Sequence, residues 1–225
     1  MMLDEHREIQ DSAPELFFRE TMSGGLSLGA TNPRQGAARG RRTPFTFHAT
    51  ILVDDVEAFI EKPEHSARLL AHASYSPLGQ ELLVKRGRFN LFRPGDAPGI
   101  RLMTYGLPFV SGERAYYLSG TKTVHDDHGW DLWRDTTRLS CQLHEGEDER
   151  GRIVGAGVLS LGLRDVLALV ASMGSRLPEP MGLQARLRFG EFFLGSLWRL
   201  YAPKVLALWN EGAPSTPPPP RMESP

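Results

Sequence analysis

The densest group of side chains that could do chemistry lies between residues 125 and 136. Carboxylates and imidazoles at such close spacing are ligands for divalent ions when they are deprotonated. The order does not match a calcium loop of the EF-hand type, which needs glycine at its sixth position and glutamate at its twelfth. The pattern favours a strand–loop–strand connection in which aspartates accept backbone N–H bonds and Trp130 and Trp133 cover one end of a sheet. A metal site, a ligand-contacting mouth and an acid–base centre stay as alternatives, the last with His125, Asp126, Asp127 and His128 as candidate catalytic residues. We expect neither a bound metal nor a cofactor.

Other polar residues are candidates for an ion network or a nucleophile. Lys122, with Asp126, Asp127 and Asp135, predicts a surface ion network. Burial of this network in a cleft would instead shift its pKa values and make it a candidate functional site. Cys141 is the one cysteine of the chain, which excludes an intramolecular disulfide. It lies three residues before His144 on a predicted strand, so the two point to opposite faces and are disfavoured as a nucleophilic pair.

A further set of polar and aromatic side chains could contact a ligand. His48 lies opposite the apolar face of its strand, where a solvent-facing histidine competes with a polar anchor inside a cavity. Glu20 and Tyr105 are further polar candidates, and they could contact a ligand only if their side chains line the interior of the fold. The candidate ligand-binding residues are His48, Tyr105, Tyr117, Lys122, Trp130 and Trp133.

Basic residues are concentrated in one loop, but the chain as a whole is not basic. Arg34, Arg39, Arg41 and Arg42 could grip phosphates, yet no aromatic residues interleave with them for base stacking. The formal net charge is -1, so no global field attracts nucleic acid or acidic lipid. We expect a solvated loop and no nucleic-acid partner.

Alternating apolar and polar residues predict a mainly β protein. Phe45 to Val53 is the clearest strand, with Phe45, Phe47 and Ile51 on one face and His48 on the other. Glycine- and proline-marked turns without long helices between them favour antiparallel pairing, and about eight strands favour a lipocalin-like or calycin-like barrel, or a sandwich. Gly24 and Gly25 predict a bulge or a tight bend in the first strand, and residues 32–44 predict a loop. The predicted strands are residues 16–28, 45–53, 67–76, 81–93, 100–110, 115–124, 136–145 and 153–161.

After residue 161 the periodicity changes to that of α-helices. Residues 163–173 and 183–201 predict C-terminal helices, and residues 56–60 a short helix with an aspartate at its N-cap. The last helix carries an aromatic stripe that could pack on the sheet or dock a partner, and a membrane-surface role ranks below both. The candidate docking residues are Phe189, Phe192, Phe193, Leu197, Trp198 and Tyr201.

The predicted organisation is a single β-rich domain over residues 16–209, with strands over 16–161 and helices over 163–209. Residues 1–15 predict a flexible N-terminus, and residues 210–225 a proline-rich disordered tail. The charged first twelve residues lack the apolar core of a secretory signal, and no segment has the length of apolar residues that spans a bilayer. We therefore expect a soluble, cytoplasmic protein.

Several runs in the chain resemble a known arrangement. The most specific lies in residues 118–127, Leu-Ser-Gly-Thr-Lys-Thr-Val-His-Asp-Asp, followed by Gly129, Asp131, Trp133 and Asp135-Thr136-Thr137. Further runs are Phe18-Arg19-Glu20-Thr21-Met22-Ser23-Gly24, Phe89-Asn90-Leu91-Phe92, Met103 with Tyr105, and Arg188-Phe189-Gly190-Glu191-Phe192-Phe193 with Gly195, Leu197 and Trp198. Over roughly Phe17 to Tyr201, this series resembles the accessory region that follows the flavin module in large bacterial GMC-type, cholesterol-oxidase-like proteins. In some of those an α/β-hydrolase module follows.

The resemblance implies an association with sterol or lipid metabolism, and a GMC-type oxidoreductase or an α/β-hydrolase as partner. It brings no catalytic residues, since Gly155-Ala156-Gly157 lacks the third glycine of a dinucleotide fingerprint and no G-x-S-x-G elbow occurs. The leading hypothesis is a non-catalytic accessory domain that binds a lipophilic small molecule or docks a partner enzyme. Alternatives are an enzyme acting on a lipid or sterol through the cluster at residues 125–135, and a structural oligomerisation module.

Overall fold

The fold is an antiparallel β-barrel of eight strands in which every strand pairs with its neighbours in the chain. The structure, a computed structural model, describes residues 13–125, 138–161, 172–193 and 195–196. The last strand pairs with the first, so the sheet closes. The strands are β1 (Leu16–Leu28), β2 (Pro44–Val53), β3 (Ser66–Tyr75), β4 (Gly79–Pro94), β5 (Ile100–Ser111), β6 (Arg114–His125), β7 (Arg138–Glu145) and β8 (Arg152–Ser160). The prediction of a mainly β, antiparallel fold with a helix towards the C-terminus is confirmed.

The alternation of side chains along each strand separates the barrel interior from its outer surface. In β2, Phe45, Phe47 and Ile51 are fully buried, whereas His48 between them is exposed. Because successive side chains of a strand point to opposite faces, one face of each strand contributes to a common core. The core therefore lies inside the barrel and consists mainly of aromatic and aliphatic residues.

Glycines allow the close backbone contacts that join β1 to β8. The two strands pair from Ser23↔Ser160 to Leu28↔Gly155. A Cβ atom on Gly24 would lie 2.2 Å from the carbonyl oxygen of Val158, and one on Gly157 would lie 2.3 Å from that of Gly25. β1 runs through Gly24 and Gly25 without interruption, so the predicted bulge is wrong. Gly24 instead allows the closure of the barrel, and Gly25 makes room for the backbone of Ala37.

The segment predicted as a loop between β1 and β2 contains a helix, α1 (Pro33–Arg39), and a 3-10 turn at Gly40–Arg42. The side chain of Asn32 caps α1 by accepting bonds from the backbone N–H groups of Arg34 and Gln35. Proline at the first helical position suits this start, since it has no N–H to satisfy. Gly36 lets α1 lie against the backbone of Ala156 in β8.

The second short helix was predicted correctly. α2 (Val56–Glu61) begins after Asp55, whose carboxylate accepts a hydrogen bond of 2.8 Å from the N–H of Ala58. Val56 and Phe59 face the core. α2 therefore follows β2 directly and packs at the end of the barrel where β2 leads into β3.

A third helix covers the same end of the barrel. Residues 181–193 are helical and form α3. Phe189, 1% exposed, packs with its ring centroid 5.8 Å from those of Phe18 in β1 and Phe59 in α2. Arg188 in α3 forms an ion pair of 2.8 Å with Glu57 in α2. The predicted helix at residues 163–173 lies almost wholly outside the described residues, as does the continuation of the last helix to Tyr201.

The chain preceding α3 extends the sheet beside the first half of β1. Phe17 and Gly174 exchange two backbone hydrogen bonds of 2.9 Å, and the hydroxyl of Ser172 accepts a bond of 2.9 Å from the N–H of Arg19. The described part of the chain contains no helix of the length and apolarity needed to cross a membrane.

Candidate functional site

Three polar side chains meet inside the barrel at positions where strand alternation calls for apolar residues. They are Glu20 of β1, Tyr105 of β5 and Lys122 of β6, and their relative exposures are 5%, 2% and 2%. Isolated charges are strongly disfavoured in such surroundings unless they are paired or neutralised. This interior cluster, Glu20–Tyr105–Lys122, is the candidate functional site.

The Tyr105 hydroxyl links the other two groups. Nζ of Lys122 donates to Oη of Tyr105 at 3.2 Å, and Oη donates to Oε2 of Glu20 at 3.3 Å. Nζ also lies 5.1 Å from the centroid of the Tyr105 ring, within the range of a cation–π contact when the amine is protonated. Oε1 of Glu20 is buried and has no hydrogen-bond partner among the described residues. The cluster therefore has one unused carboxyl oxygen facing the protein interior.

Small residues at the level of the cluster leave room for these three side chains. Glu20 is paired in register with Ala49 of β2, which is itself paired with Ala71 of β3. On the other side of the barrel, Tyr105 is opposite Gly120 of β6, and Gly120 is opposite Cys141 of β7. Interior side chains must fill a small barrel, so small residues in one layer accommodate long ones in the same layer.

Burial shifts the cluster towards its neutral forms. Loss of solvation raises the pKa of Glu20, although the charge of Lys122 and the hydrogen bond from Tyr105 oppose that shift. Loss of solvation also lowers the pKa of Lys122, against the attraction of Glu20. The pKa of Tyr105 is raised by burial and by the neighbouring carboxylate. A carboxylic acid and a free amine are the forms favoured by this environment.

The site is enclosed by aromatic rings. The ring centroid of Tyr105 lies 5.0 Å from that of Phe89 and 6.1 Å from that of Phe47. Phe89 in turn contacts Phe18 at 6.0 Å, and Phe18 contacts Phe189 of α3. The polar cluster thus lies below an aromatic layer that α3 covers.

Of the predicted ligand-binding residues that the structure describes, Tyr105 and Lys122 come together. His48 lies on the outer surface, where its Nδ1 and the hydroxyl of Thr21 form a hydrogen bond of 2.9 Å. Tyr117 lies outside as well, with its ring centroid 6.3 Å from that of His144. Trp130 and Trp133 lie outside the described residues, as do Asp126, Asp127 and His128, while His125 is the last residue of β6.

The predicted surface network around Lys122 is wrong for Lys122 itself. Its side chain points into the barrel, because Lys122 shares the inward phase of Leu118 and Val124 on β6. Glu20 shares the phase of Phe18 and Met22 on β1 in the same way. A charged residue in the apolar phase of each of two strands was the sequence signal for this site.

The candidate docking residues contact the protein's own barrel where they are described. Phe189 is buried, and Phe193 stacks on Phe92 at 6.2 Å between centroids. Phe192 packs on His65 at 4.9 Å. Leu197, Trp198 and Tyr201 lie outside the described residues.

The predicted geometry of Cys141 and His144 agrees with the structure. Cys141 is fully buried inside the barrel, and burial raises the pKa of its thiol to about 12. His144 lies on the other face, where its ring nitrogens contact the hydroxyl of Ser119 at 2.9 Å and the carbonyl oxygen of Gly151 at 3.1 Å. The thiol is therefore protonated at neutral pH, and His144 lies on the wrong face of β7 to activate it.

The outer surface has basic residues at two places. Arg34, Arg39, Arg41 and Arg42 are exposed on and after α1, as expected for a solvated segment. A groove of about 530 Å³ lies between β3 and β4, outside the barrel, and its charged lining residues are Asp54, Arg68, Lys85, Arg86 and Arg88. Within the described ranges, no three histidine, cysteine or acidic side chains are grouped as a metal site requires.

Comparison of the chain with protein-family models, with curated proteins and with solved structures gave no match.

Proposed function

We propose that the protein is a non-catalytic accessory domain that binds a lipophilic small molecule inside its barrel, with the polar end of that molecule at Glu20–Tyr105–Lys122. The observation that carries the proposal is the buried Oε1 of Glu20, which has no hydrogen-bond partner within the described part of the chain. A buried polar atom without a partner costs roughly 1–3 kcal/mol. A ligand hydroxyl or carbonyl that hydrogen-bonds to this carboxyl group removes that cost.

The apolar interior supports a lipophilic body for the ligand. The rings of Phe18, Phe47 and Phe89 surround the cluster and are almost fully buried. Hydrophobic contact contributes about 25 cal/mol for each Å² of apolar surface removed from water. A few polar groups that fix orientation within apolar walls are typical of small-molecule sites.

Two further observations favour binding over catalysis and over docking through α3. The cysteine inside the barrel is kept protonated and is separated from His144 by the barrel wall. The described aromatic residues of α3 are engaged with the end of the barrel. The resemblance of residues 118–127 suggests a role in sterol or lipid metabolism beside a GMC-type oxidoreductase or hydrolase. Cholesterol is therefore the first ligand to test.

The test is native mass spectrometry and titration with cholesterol and decan-1-ol, using the full chain. We expect one bound molecule per barrel for at least one of these ligands. Glu20→Leu should weaken binding about tenfold, which corresponds to ~1.4 kcal/mol for the lost hydrogen bond to the ligand. Glu81→Leu is the matched control, because Glu81 is an exposed glutamate on the outer face of β4.

Equal weakening in Glu20→Leu and Glu81→Leu would place the ligand elsewhere than the interior cluster. Absence of binding for both ligands, with the wild-type protein shown to be folded by circular dichroism, would refute the proposal.

A further inference from the structure

Lys122 is the residue of the interior whose chemistry a hydrogen-bonding role leaves unexplained. Its amine is buried in a barrel of mostly apolar side chains, and a hydroxyl, not a carboxylate, is its hydrogen-bond partner among the described residues. A lysine held in this way loses the solvation of its charged form without gaining a direct ion pair. An amine in apolar surroundings is instead suited to act as a nucleophile towards a carbonyl group.

We infer that Lys122 captures a lipophilic aldehyde as an imine inside the barrel, with Glu20 as the proton donor and counterion. This inference rests on the proposed function, because the aldehyde must first enter the interior site. The ligand class is a carbonyl compound with an apolar body, and its binding through an imine is covalent and reversible. The Tyr105 hydroxyl lies between the two groups and contacts both.

The reaction balances with the groups present in the site. The lone pair of Nζ forms a bond to the carbonyl carbon, and the carbonyl π electrons move to oxygen. A proton passes from nitrogen to that oxygen and gives a carbinolamine. Protonation of its hydroxyl by the carboxylic acid of Glu20 releases water as the C=N bond forms. The products are one water molecule, a protonated imine on Lys122 and the carboxylate of Glu20.

The electrostatics of the interior cluster agree with this chemistry. Burial lowers the pKa of Lys122 and so favours its free amine, and burial raises the pKa of Glu20 and so favours its acid form. After imine formation the iminium and the carboxylate are opposite charges beside Tyr105. This ion pair forms only when the imine forms, so it stabilises the bound state and not the unreacted protein. Each of its charges compensates the other for the solvation that burial removes.

The experiment treats the full-length protein with decanal and sodium cyanoborohydride near neutral pH and measures the intact mass. We expect one added decyl group, which peptide mapping assigns to Lys122. Lys122→Met should lower the initial labelling rate at least tenfold, whereas Lys85→Met should leave it unchanged, because Lys85 is exposed on the outer face of β4. Glu20→Gln keeps the shape of the acid but removes its proton-donating strength, and it should slow labelling at least tenfold.

Binding of decan-1-ol, which cannot form an imine, separates this inference from the proposed function. If decan-1-ol or cholesterol binds but labelling falls on surface lysines and persists in Lys122→Met, imine formation is refuted and the proposed function stands. If neither alcohol binds and Lys122 is not labelled, both are refuted. Labelling of Lys122 that decan-1-ol competitively suppresses supports both.

Discussion

At the scale of single residues, burial acts in opposite directions on Glu20 and Lys122. The pKa of Glu20 is raised, so its contribution to stability is present below its ordinary value of 4.5 and is lost as the pH rises through the folded value. The pKa of Lys122 is lowered, so its contribution is present above its ordinary value of 10.5 and is lost as the pH falls through the folded value. Near neutral pH both residues therefore lower the stability of the protein without ligand.

Replacing Lys122 should reveal this cost. We expect Lys122→Met to be more stable than the wild type at about pH 7.5, by roughly 1 kcal/mol or more, because an apolar residue of similar length replaces an amine that burial destabilises in its charged form. The difference should shrink as the pH rises towards 10.5, where the unfolded wild type also loses its lysine proton. Urea unfolding at about pH 7.5 and about pH 10 measures both free energies.

Lys85→Met is the control for a change of charge alone, and it should show no comparable gain, because Lys85 is exposed. A gain for Lys122→Met that grows with pH would contradict the assigned direction of the Lys122 shift.

At the scale of elements, α3 closes the barrel end above the site. Phe189 is the centre of this contact, with its ring near those of Phe18, Phe59 and Phe193. We expect Phe189→Ala to lower the free energy of unfolding by about 3–5 kcal/mol, since it removes a buried aromatic ring and leaves a cavity. Loss of this cover should also speed the exchange of a bound lipophile, which stopped-flow fluorescence can follow.

Leu187 provides a control within the same helix, because its side chain is 64% exposed. Leu187→Ala should change stability by no more than about 0.5 kcal/mol. Similar losses for the two variants would show that the effect comes from the propensity of the helix and not from its contact with the barrel.

The elements that could be predicted from sequence are those whose pattern is local. β2 and α2 were found because alternation and an aspartate N-cap are visible within about ten residues. The sequence does not predict α1, because the glycine at position 36 and the arginines near it are typical of a loop. The helix depends on Asn32 as its cap and on a contact with β8 that is 120 positions away in the chain, at Ala156.

The candidate site was predicted in part for a related reason. Tyr105 and Lys122 were candidates by residue type, and the inward phase of Glu20 could be read from its neighbours on β1. That the three side chains meet depends on the order of strands around the barrel, which separates Glu20 from Lys122 by about a hundred residues. The pattern within a single strand does not indicate which strands pair to close the barrel.

At the scale of the whole molecule, the pairing of β1 with β8 turns a meander of hairpins into a closed barrel. Each of the other strand pairs joins strands that follow one another in the chain, but this pair brings together the first and last strands. Closure pairs the second half of β1 with β8 and encloses the interior in which Glu20, Tyr105 and Lys122 meet. The glycines at this pairing are therefore tied to the site as well as to the fold.

Gly157→Ala should weaken this closure. Its Cβ would lie 2.3 Å from the carbonyl oxygen of Gly25 and 2.7 Å from Cα of Leu26, and backbone atoms cannot move aside as the end of a side chain can. We expect a loss of about 1–3 kcal/mol in urea unfolding, the range for overpacking, together with weaker ligand binding. Gly190→Ala is the control, because a Cβ atom at that position would have nothing within 4 Å and alanine favours the helix α3 by roughly 0.5–1 kcal/mol. If Gly157→Ala were as stable as the wild type while Gly190→Ala gained stability as expected, the strand contact at Gly157 would have to be looser than described, and closure would not be what holds the interior cluster together.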